Sequence, residues 1–245
     1  MLDALLHLPL FASTSDARAH LEQAARDGVS DVICGGTDAR APEVAPSTAS
    51  GPRVHRAFGI HPRHASDQAL TEQMRALAAR LDSGHAVAIG ECGLDGRRGQ
   101  PPLDVQERTL RAQLAIARER QLPVILHLVG TWSLALALLE EDGPLPGGGV
   151  WHAFAGPKEA IARAQALGLA FSIGGLVLQP RARRLHEALP LIAPTLLLVE
   201  TDMPHDPATP LAAIVHEVAR RLGEAPDDVA QRTRANGQRI FRIPG

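Results

Sequence analysis

Short apolar runs alternate with amphipathic stretches along the whole chain. Each run has the length of a strand and is apolar on both faces, as strands are in a parallel sheet covered by helices. Eight such runs are predicted to be strands: Leu2–His7, Val29–Gly35, Val54–Ile60, Ala86–Glu91, Pro123–His127, Gly149–Phe154, Ala170–Ile173 and Thr195–Glu200.

Between these runs, apolar residues recur with the spacing of helices that pack one face on a core. The predicted helices are Ser15–Asp27, Asp67–Leu81, Leu103–Arg120, Thr209–Leu222 and Pro226–Phe241, and Pro157 is placed to open another in its first turn. Segments Ala41–Pro52 and Asp142–Gly149 are predicted to be loops because they are rich in Pro, Gly, Ser or Thr. The alternation predicts the α/β class and a single-domain TIM-type barrel over residues 1–245, rather than an open doubly wound sheet.

Four polar side chains stand at the ends of predicted strands: Glu91, His127, His152 and Asp202. Barrel enzymes build their active sites at the carboxyl ends of the strands. Each residue alone has an ordinary structural interpretation, such as a buried ion pair or a cap. Together they are harder to explain that way, because burying a polar group costs several kcal/mol unless it is paired. The pattern predicts the metal site of a hydrolase.

The residue types fit a divalent metal that activates water. Glu91 can bridge two ions with its two oxygens, and His127 and His152 can each offer a neutral ring nitrogen. Asp202 can bind an ion or accept a proton from water. Carboxylates mixed with imidazoles suit Mg²⁺, Mn²⁺ or Zn²⁺, and the sequence does not choose among them or between one ion and two.

The segment GIHPRHAS follows the third predicted strand and adds three further candidates. His61 is predicted to be catalytic, orienting a water or contacting the leaving group. Arg63 and His64 are predicted to bind substrate, with Arg63 on a phosphate oxygen. The alternative is a loop that simply exposes basic residues.

Composition and charge limit the partners and the cellular location that we expect for this protein. The net charge of -2 argues against a broad basic field that coats nucleic acid, although it leaves room for a local groove. The N-terminus does not resemble a signal peptide and no stretch is long and apolar enough to cross a membrane, so we expect a cytoplasmic protein with no membrane partner. Cys34 and Cys92 are expected to be free thiols, and the chain is expected to be a monomer.

These motifs together resemble the TatD family of metal-dependent deoxyribonucleases. AIGECGLD is similar to the glutamate signature of that family, and the other matching motifs follow in family order: GIHP, LPVILH, GVWHAFAG, FSIGG, LLLVETDMP and ANGQRIF. The resemblance covers essentially the whole chain.

The resemblance implies a TIM-like barrel with one or two divalent ions that hydrolyses phosphodiester bonds in DNA, mainly as a 3′-to-5′ exonuclease on single-stranded or damaged DNA. By motif, Glu91, His127, His152 and Asp202 are implied as metal ligands, and His61 as a site residue. The expected partner is therefore a DNA single strand or strand end. Aromatic residues make up only 3% of the chain, so platforms for base stacking are scarce; the nearest candidates are Trp132 and Phe154, of which Phe154 is expected to pack in the core.

Two positions depart from the family pattern. Many members carry His-x-His on the first strand, whereas this chain has Leu5 and then His7, which remains as a candidate ligand. At the end of the LPVILH motif the family usually has His-x-Arg. Here that histidine is His127, and Val129 stands in the place of the arginine. A positive charge that could hold phosphate is lost there. Arg63 or Arg97 is the candidate replacement.

Two other functions stay open at this point. The same barrel and ligands would support hydrolysis of a small amide, ester or lactone, because a fold does not fix its substrate. The losses at Leu5 and Val129 would also suit a degenerate, non-catalytic barrel that binds a partner. The four retained metal-competent residues argue against a degenerate barrel.

Overall fold

The computed structural model describes residues 1–40, 51–203 and 209–245. Its eight strands form one parallel sheet in which each strand pairs with its neighbours along the chain. The strands are β1 (Leu2–Leu6), β2 (Asp31–Gly35), β3 (Arg53–Phe58), β4 (Ala86–Asp95), β5 (Val124–Val129), β6 (Gly149–Trp151), β7 (Leu169–Ile173) and β8 (Leu197–Val199).

Helices lie between the strands and follow β8. They are α1 (Thr14–Arg26), α2 (Leu70–Asp82), α3 (Leu103–Arg120), α4 (Trp132–Asp142), α5 (Glu159–Ala166), α6 (Arg183–Ala188), α7 (Leu211–Leu222) and α8 (Pro226–Phe241). The predicted TIM-type barrel is confirmed. None of these helices, within the residues that the structure describes, is both long and apolar enough to cross a membrane.

The two edge strands meet through contacts between β1 and the segment that follows β8. The backbone N–H of His7 donates to the carbonyl of Met203 at 2.7 Å, and that of Asp202 donates to the carbonyl of Leu5 at 3.0 Å. The buried carboxylate of Asp3 accepts from both the N–H and the hydroxyl of Thr201, at 2.9 and 2.6 Å. These bonds bring the first and last strands together and nearly close the barrel.

Apolar side chains fill the barrel from the inside and pack helices against the outside. The inner cluster takes at least one residue from every strand and also contains Phe241 and Ile243 from the last part of the chain. Its strand members are Leu2, Ala4, Leu5, Ile33, Ala57, Ala88, Ile125, Val150, Ala170 and Leu198. Cys34 and Cys92 are buried free thiols, as expected.

Several element boundaries differ from the predicted ones. Strand β4 continues four residues past Glu91 to Asp95, and β6 ends at Trp151, just before His152. Helix α5 begins at Glu159, so Pro157 precedes it. The predicted loop Ala41–Pro52 lies, for residues 41–50, outside the described residues.

Two helices were not predicted. Helix α4 contains the sequence LALALL, which is apolar on nearly all sides, so its helical period is hidden. Helix α6 is only six residues long, and four of those are charged or histidine. Pattern-based prediction is weakest for both kinds of helix.

One glycine allows β4 and β5 to approach each other beside the site. Gly93 has a φ of +146°, and a Cβ on it would lie 2.0 Å from the carbonyl oxygen of His127. Only glycine fits there, because the backbone of β5 occupies the place of a side chain. This close contact fixes Glu91 on β4 relative to His127 on β5.

Candidate metal centre

A cavity of about 490 Å³ opens where the carboxyl ends of several strands meet. The four strand-end residues that the sequence singled out all line it, and so do four of the other candidates, His7, His61, Arg63 and Arg97. The lining consists of His7, His61, Arg63, Glu91, Arg97, Arg98, Gln100, His127, His152 and Asp202. His64 is not among these residues, and its backbone carbonyl accepts a bond from Gln73 on α2 instead.

Glu91 lies at the centre of this arrangement, fully buried, and its two oxygens face different histidines. Oε1 is 2.7 Å from Nε2 of His152, and Oε2 is 3.5 Å from Nε2 of His7. Because the oxygens face separate groups, this carboxylate could supply one ligand atom to each of two groups of side chains.

His127 is oriented by a carboxylate behind it. Its Nε2 lies 3.3 Å from Oδ2 of Asp95, and its Nδ1 lies 3.1 Å from Nε2 of His152. Asp95 is buried and in turn accepts two bonds at 2.9 and 2.5 Å from the guanidinium of Arg97. The outer contact to Asp95 leaves Nδ1 of His127 facing the cavity.

His152 has a second carboxylate behind it, that of Glu200. Nδ1 of His152 is 3.5 Å from Oε1 of Glu200 and forms no hydrogen bond with any residue in the described part of the chain. Glu200 is completely buried and accepts bonds from the hydroxyl of Ser172 and from the N–H of Ala153, both at 2.5 Å. Ala153 reaches it with a left-handed backbone, φ +45°, which is unusual for a residue with a side chain.

His7 and Asp202 complete the other side of Glu91. Nδ1 of His7 donates to the carbonyl of Gly35 at 2.9 Å, which leaves its Nε2 3.2 Å from Oδ1 of Asp202. Asp202 is half-buried and has a left-handed φ of +53°, a conformation that aspartate tolerates better than most residues. Strain of this kind concentrates at functional sites.

His61 faces the same cavity, but its ring accepts a backbone hydrogen bond, whereas the other cavity histidines face oxygen atoms with their outer nitrogens. Its Nδ1 accepts a bond from the backbone N–H of Arg63 at 3.0 Å, so in the neutral ring the proton is on Nε2. The ring lies 4.3 Å from that of His127, centroid to centroid. A neutral His61 in this tautomer donates a hydrogen bond from Nε2.

The charges of the site are strongly coupled. Burial alone would raise the pKa of Glu91, but the charges of His7 and His152 hold it well below its usual range. Burial alone would lower the pKa of His152, but Glu91 raises it well above its usual range, and the pKa of His7 is raised in the same way. Burial lowers the pKa of His61 to about 3, so this ring is neutral at physiological pH.

Among the described residues, two groups of side chains could each hold a metal ion. His7, Glu91 and Asp202 form one, and His61, Glu91 and His127 form the other, with the ligand atoms of each group within 4.8 Å of one another. Metal-binding histidines usually donate their outer N–H to a carboxylate or carbonyl, and His7, His127 and His152 each face such an oxygen. The side chains therefore fit a divalent metal, with Glu91 common to both groups.

A barrel of parallel strands with this carboxylate and imidazole set at its carboxyl ends is typical of metal-dependent hydrolases. The family model described as TatD related DNase matches residues 2–242, and the chain belongs to that family.

Relatives with descriptive names agree with this assignment. The chain is 33% identical over 261 residues to the 3′-5′ ssDNA/RNA exonuclease TatD of Pantoea vagans, covering 99% of this chain and 100% of that protein. It is 32% identical over 261 residues to the protein of the same name from Erwinia billingiae, covering both chains completely.

Two solved structures are similar to this chain over nearly its whole length. A TatD homologue from Escherichia coli K12 superposes with a TM-score of 0.87 at 29% identity, covering 100% of this chain and 98% of that one. A TatD-family hydrolase from Entamoeba histolytica has a TM-score of 0.80 at 18% identity, with 98% and 97% covered, and this likeness concerns the fold alone.

The structure adds residues that sequence reasoning did not assign to the site. Asp95 and Glu200 support the two cavity histidines from behind, and Arg98 and Gln100 line the cavity. A signal was present for Glu200, because it is a charged residue directly after the apolar run LLLV. Trp132, a candidate for base stacking, is instead half-buried against the outer core.

Proposed function

We propose that this protein is a metal-dependent nuclease that removes nucleotides from the 3′ end of single-stranded DNA. The observation that carries the proposal is the position of Glu91, whose two oxygens face two separate groups of ligand side chains. Family membership and the printed activity of the exonuclease relatives from Pantoea and Erwinia support the substrate class.

We assign Glu91, His127, Asp202 and His7 as ligands from these two groups, for one or two ions of Mg²⁺, Mn²⁺ or Zn²⁺. We add His152, which belongs to neither group, because its Nε2 lies 2.7 Å from Oε1 of Glu91. Such an ion supplies Lewis acidity, which lowers the pKa of water and offsets charge on the phosphoryl oxygens. The chain's own residues then orient the reactants and move protons.

Asp202 is placed to accept the proton of the attacking water, because its carboxylate is half-buried at the cavity wall. The neutral ring of His61 is placed to donate a hydrogen bond from Nε2 to the leaving-group oxygen or to the attacking water. Asp95 and Glu200 keep His127 and His152 in fixed orientations.

Three arginines in the cavity favour an anionic substrate over a neutral amide or lactone. Arg63, Arg97 and Arg98 line the same cavity as Glu91, so positive charge is present although Val129 replaces the arginine usual in the family. We assign Arg63 and Arg97 to the phosphate; His64, outside the cavity lining, has no role in this proposal. A monomer and a cytoplasmic location stay predictions.

The test is degradation of 3′-labelled and 5′-labelled single-stranded DNA with Mg²⁺ or Mn²⁺, comparing wild type with Glu91→Ala. We expect early loss of the 3′ label, dependence on metal, and loss of activity in Glu91→Ala. Glu72→Ala, on the exposed side of α2, is the matched control and should retain full activity. Equal degradation by wild type and Glu91→Ala would contradict the proposal.

A further inference from the structure

A second cavity, of about 350 Å³, adjoins the metal-site cavity. Asp202 lines both, so a ligand that extends from one cavity to the other passes beside this carboxylate. The second cavity lies between the loop after β6, at Ala153 and Phe154, and the turn that follows β7, at Leu176 and Gln179. Apart from Asp202, the proposed ligands of the metal do not line this cavity, and the mechanism gives the rest of the cavity no role.

The wall of the second cavity combines an apolar surface with a polar edge. Leu176 is 44% exposed, which is unusual for a large apolar side chain of this protein. Phe154 is buried beside it, and Trp151 and Phe171 hold its ring edge-on with centroid distances of 4.8 and 4.9 Å. Gln179 places an exposed amide at the rim. A flat heterocycle with hydrogen-bonding edges is complementary to such a wall.

The chain that leaves this cavity is strongly basic. Arg181, Arg183 and Arg184 follow Gln179 directly and are exposed, in a turn where the N–H of Ala182 donates to the carbonyl of Gln179 at 3.0 Å. No carboxylate among the described residues pairs with any of the three guanidinium groups.

Most arginines elsewhere in the described part of the chain form an ion pair with a carboxylate. Arg108, Arg163 and Arg220 each bind a carboxylate at 2.7 Å or less. Three arginines within four residues and without a carboxylate partner form a local positive charge on a chain whose net charge is -2. Guanidinium groups of this kind bind phosphates through charge-assisted hydrogen bonds.

We propose that the second cavity and Arg181, Arg183 and Arg184 form the surface that binds the polynucleotide strand. A nucleobase next to the scissile bond lies against the exposed side chain of Leu176, and the arginines contact phosphates farther along the strand. The occupant is a single strand, because the apolar wall contacts an unstacked base and the arginines take the phosphates that continue from it. This inference rests on the proposed nuclease function.

The experiment measures binding of a 5′-fluorescein-labelled 20-nucleotide single strand to the metal-free protein in EDTA, by fluorescence anisotropy at several salt concentrations. Replacing all three arginines, Arg181→Gln, Arg183→Gln and Arg184→Gln, should weaken binding at least tenfold. It should also reduce the slope of log Kd against log salt by about 2, since each phosphate contact on a single strand contributes roughly 0.7. Leu176→Ser should weaken binding several-fold and leave the slope unchanged.

A second triple variant controls for loss of charge alone. Arg18→Gln, Arg26→Gln and Arg75→Gln remove the same charge from exposed positions on α1 and α2 and should leave binding unchanged. An unchanged Kd and slope in the first triple variant, or an equal change in both triple variants, would overturn the proposal.

Turnover of bis(p-nitrophenyl) phosphate separates this inference from the proposed function. The small diester has a single phosphate and no strand that continues to the arginines, which line neither cavity, so we expect the triple variant at 181, 183 and 184 to hydrolyse it as the wild type does. Wild-type protein that binds the strand through these arginines but cleaves neither DNA nor the diester would overturn the nuclease function and leave the binding surface supported. Cleavage of both substrates with binding unaffected by the variant would overturn the binding surface alone.

Discussion

Glu91 Oε1 and His152 Nε2 lie 2.7 Å apart inside a buried cavity, and this contact links proton binding to metal binding. Burial alone would lower the pKa of His152, but the charge of Glu91 raises it well above its usual range. The pKa of Glu91 is in turn held well below its usual range. The metal-free chain therefore holds a proton on His152 that a metal ion has to displace, because a ligating histidine must be neutral.

We predict that metal binding releases protons. The affinity for Mn²⁺ should rise between pH 6 and pH 8 by about tenfold per pH unit for each proton released. Isothermal titration calorimetry in two buffers of different protonation enthalpy measures the number of protons. His152→Gln should release about one proton fewer, whereas His64→Gln, outside the cavity lining, should behave as wild type. A Mn²⁺ affinity that is constant over this pH range would contradict the prediction.

Glu200 is a positioning residue for His152, and its replacement should weaken metal binding. Glu200→Gln keeps the shape of the side chain but removes the charge 3.5 Å from Nδ1 of His152. Loss of such an outer partner lowers metal affinity by about 10- to 100-fold. Calorimetry with Mn²⁺ measures the affinity directly, and saturating Mn²⁺ should restore much of the activity. Glu187→Gln on exposed α6 is the control; equal Mn²⁺ affinity in both variants would rule out the role of Glu200.

Asp3 should make the stability of the fold depend on pH. Burial raises its pKa to about 7, although bonds from Thr201 oppose the shift. A carboxyl group whose pKa is raised on folding stabilises the fold at low pH, and this contribution is lost as pH rises from about 4 to about 7. This contribution to the free energy of unfolding is roughly 4 kcal/mol at most.

Asp3→Asn removes this titration while keeping an oxygen that can accept from Thr201. The free energy of unfolding of Asp3→Asn, relative to wild type, should therefore increase from about pH 4 to about pH 7 and level off above that. Urea denaturation of both proteins in EDTA measures it, with the exposed Asp104→Asn as the control. Parallel pH profiles for wild type and Asp3→Asn would show that Asp3 is already ionised at no cost.

The barrel could be predicted from the sequence because its strands are short, apolar and regularly spaced, which is a local property. The ends of the strands could not: β4 continues to Asp95 because Gly93 lets it pair closely with β5, and that contact depends on tertiary structure. Helix α4 was hidden because it is apolar on nearly all sides.

The candidate site likewise contains residues that the sequence predicts and residues that it does not. Glu91, His127, His152 and Asp202 stand at the ends of predicted strands, so the sequence alone singled them out, and the structure places all four in one cavity. Asp95 and Glu200 act through histidines 32 and 48 positions away along the chain, and the sequence pattern does not encode that pairing. His64 illustrates the opposite case, since nearness to His61 along the chain did not bring it into the cavity lining.

Leu5 occupies the place of a histidine that many family members carry, and restoring that histidine tests whether a second ion can bind. Leu5 and His7 lie on the same side of the chain, since a Cβ on Gly35 would be 2.6 Å from Leu5 Cδ1 and 3.1 Å from His7 Cε1. An imidazole at position 5 would be buried without a partner in the metal-free protein. Leu5→His should therefore lower the free energy of unfolding by about 2 kcal/mol in EDTA.

Bound metal should restore the stability that Leu5→His loses. If position 5 reaches the ion held by His7, Glu91 and Asp202, saturating Mn²⁺ will raise the Tm of Leu5→His by more than that of wild type, and calorimetry will show a higher metal stoichiometry or affinity. Leu5→Ala is the matched control, because it also loses stability at this buried position but carries no side-chain atom that can bind metal; it should not recover that stability in Mn²⁺. An equal rise in Tm for Leu5→His and Leu5→Ala would mean that position 5 does not reach the metal.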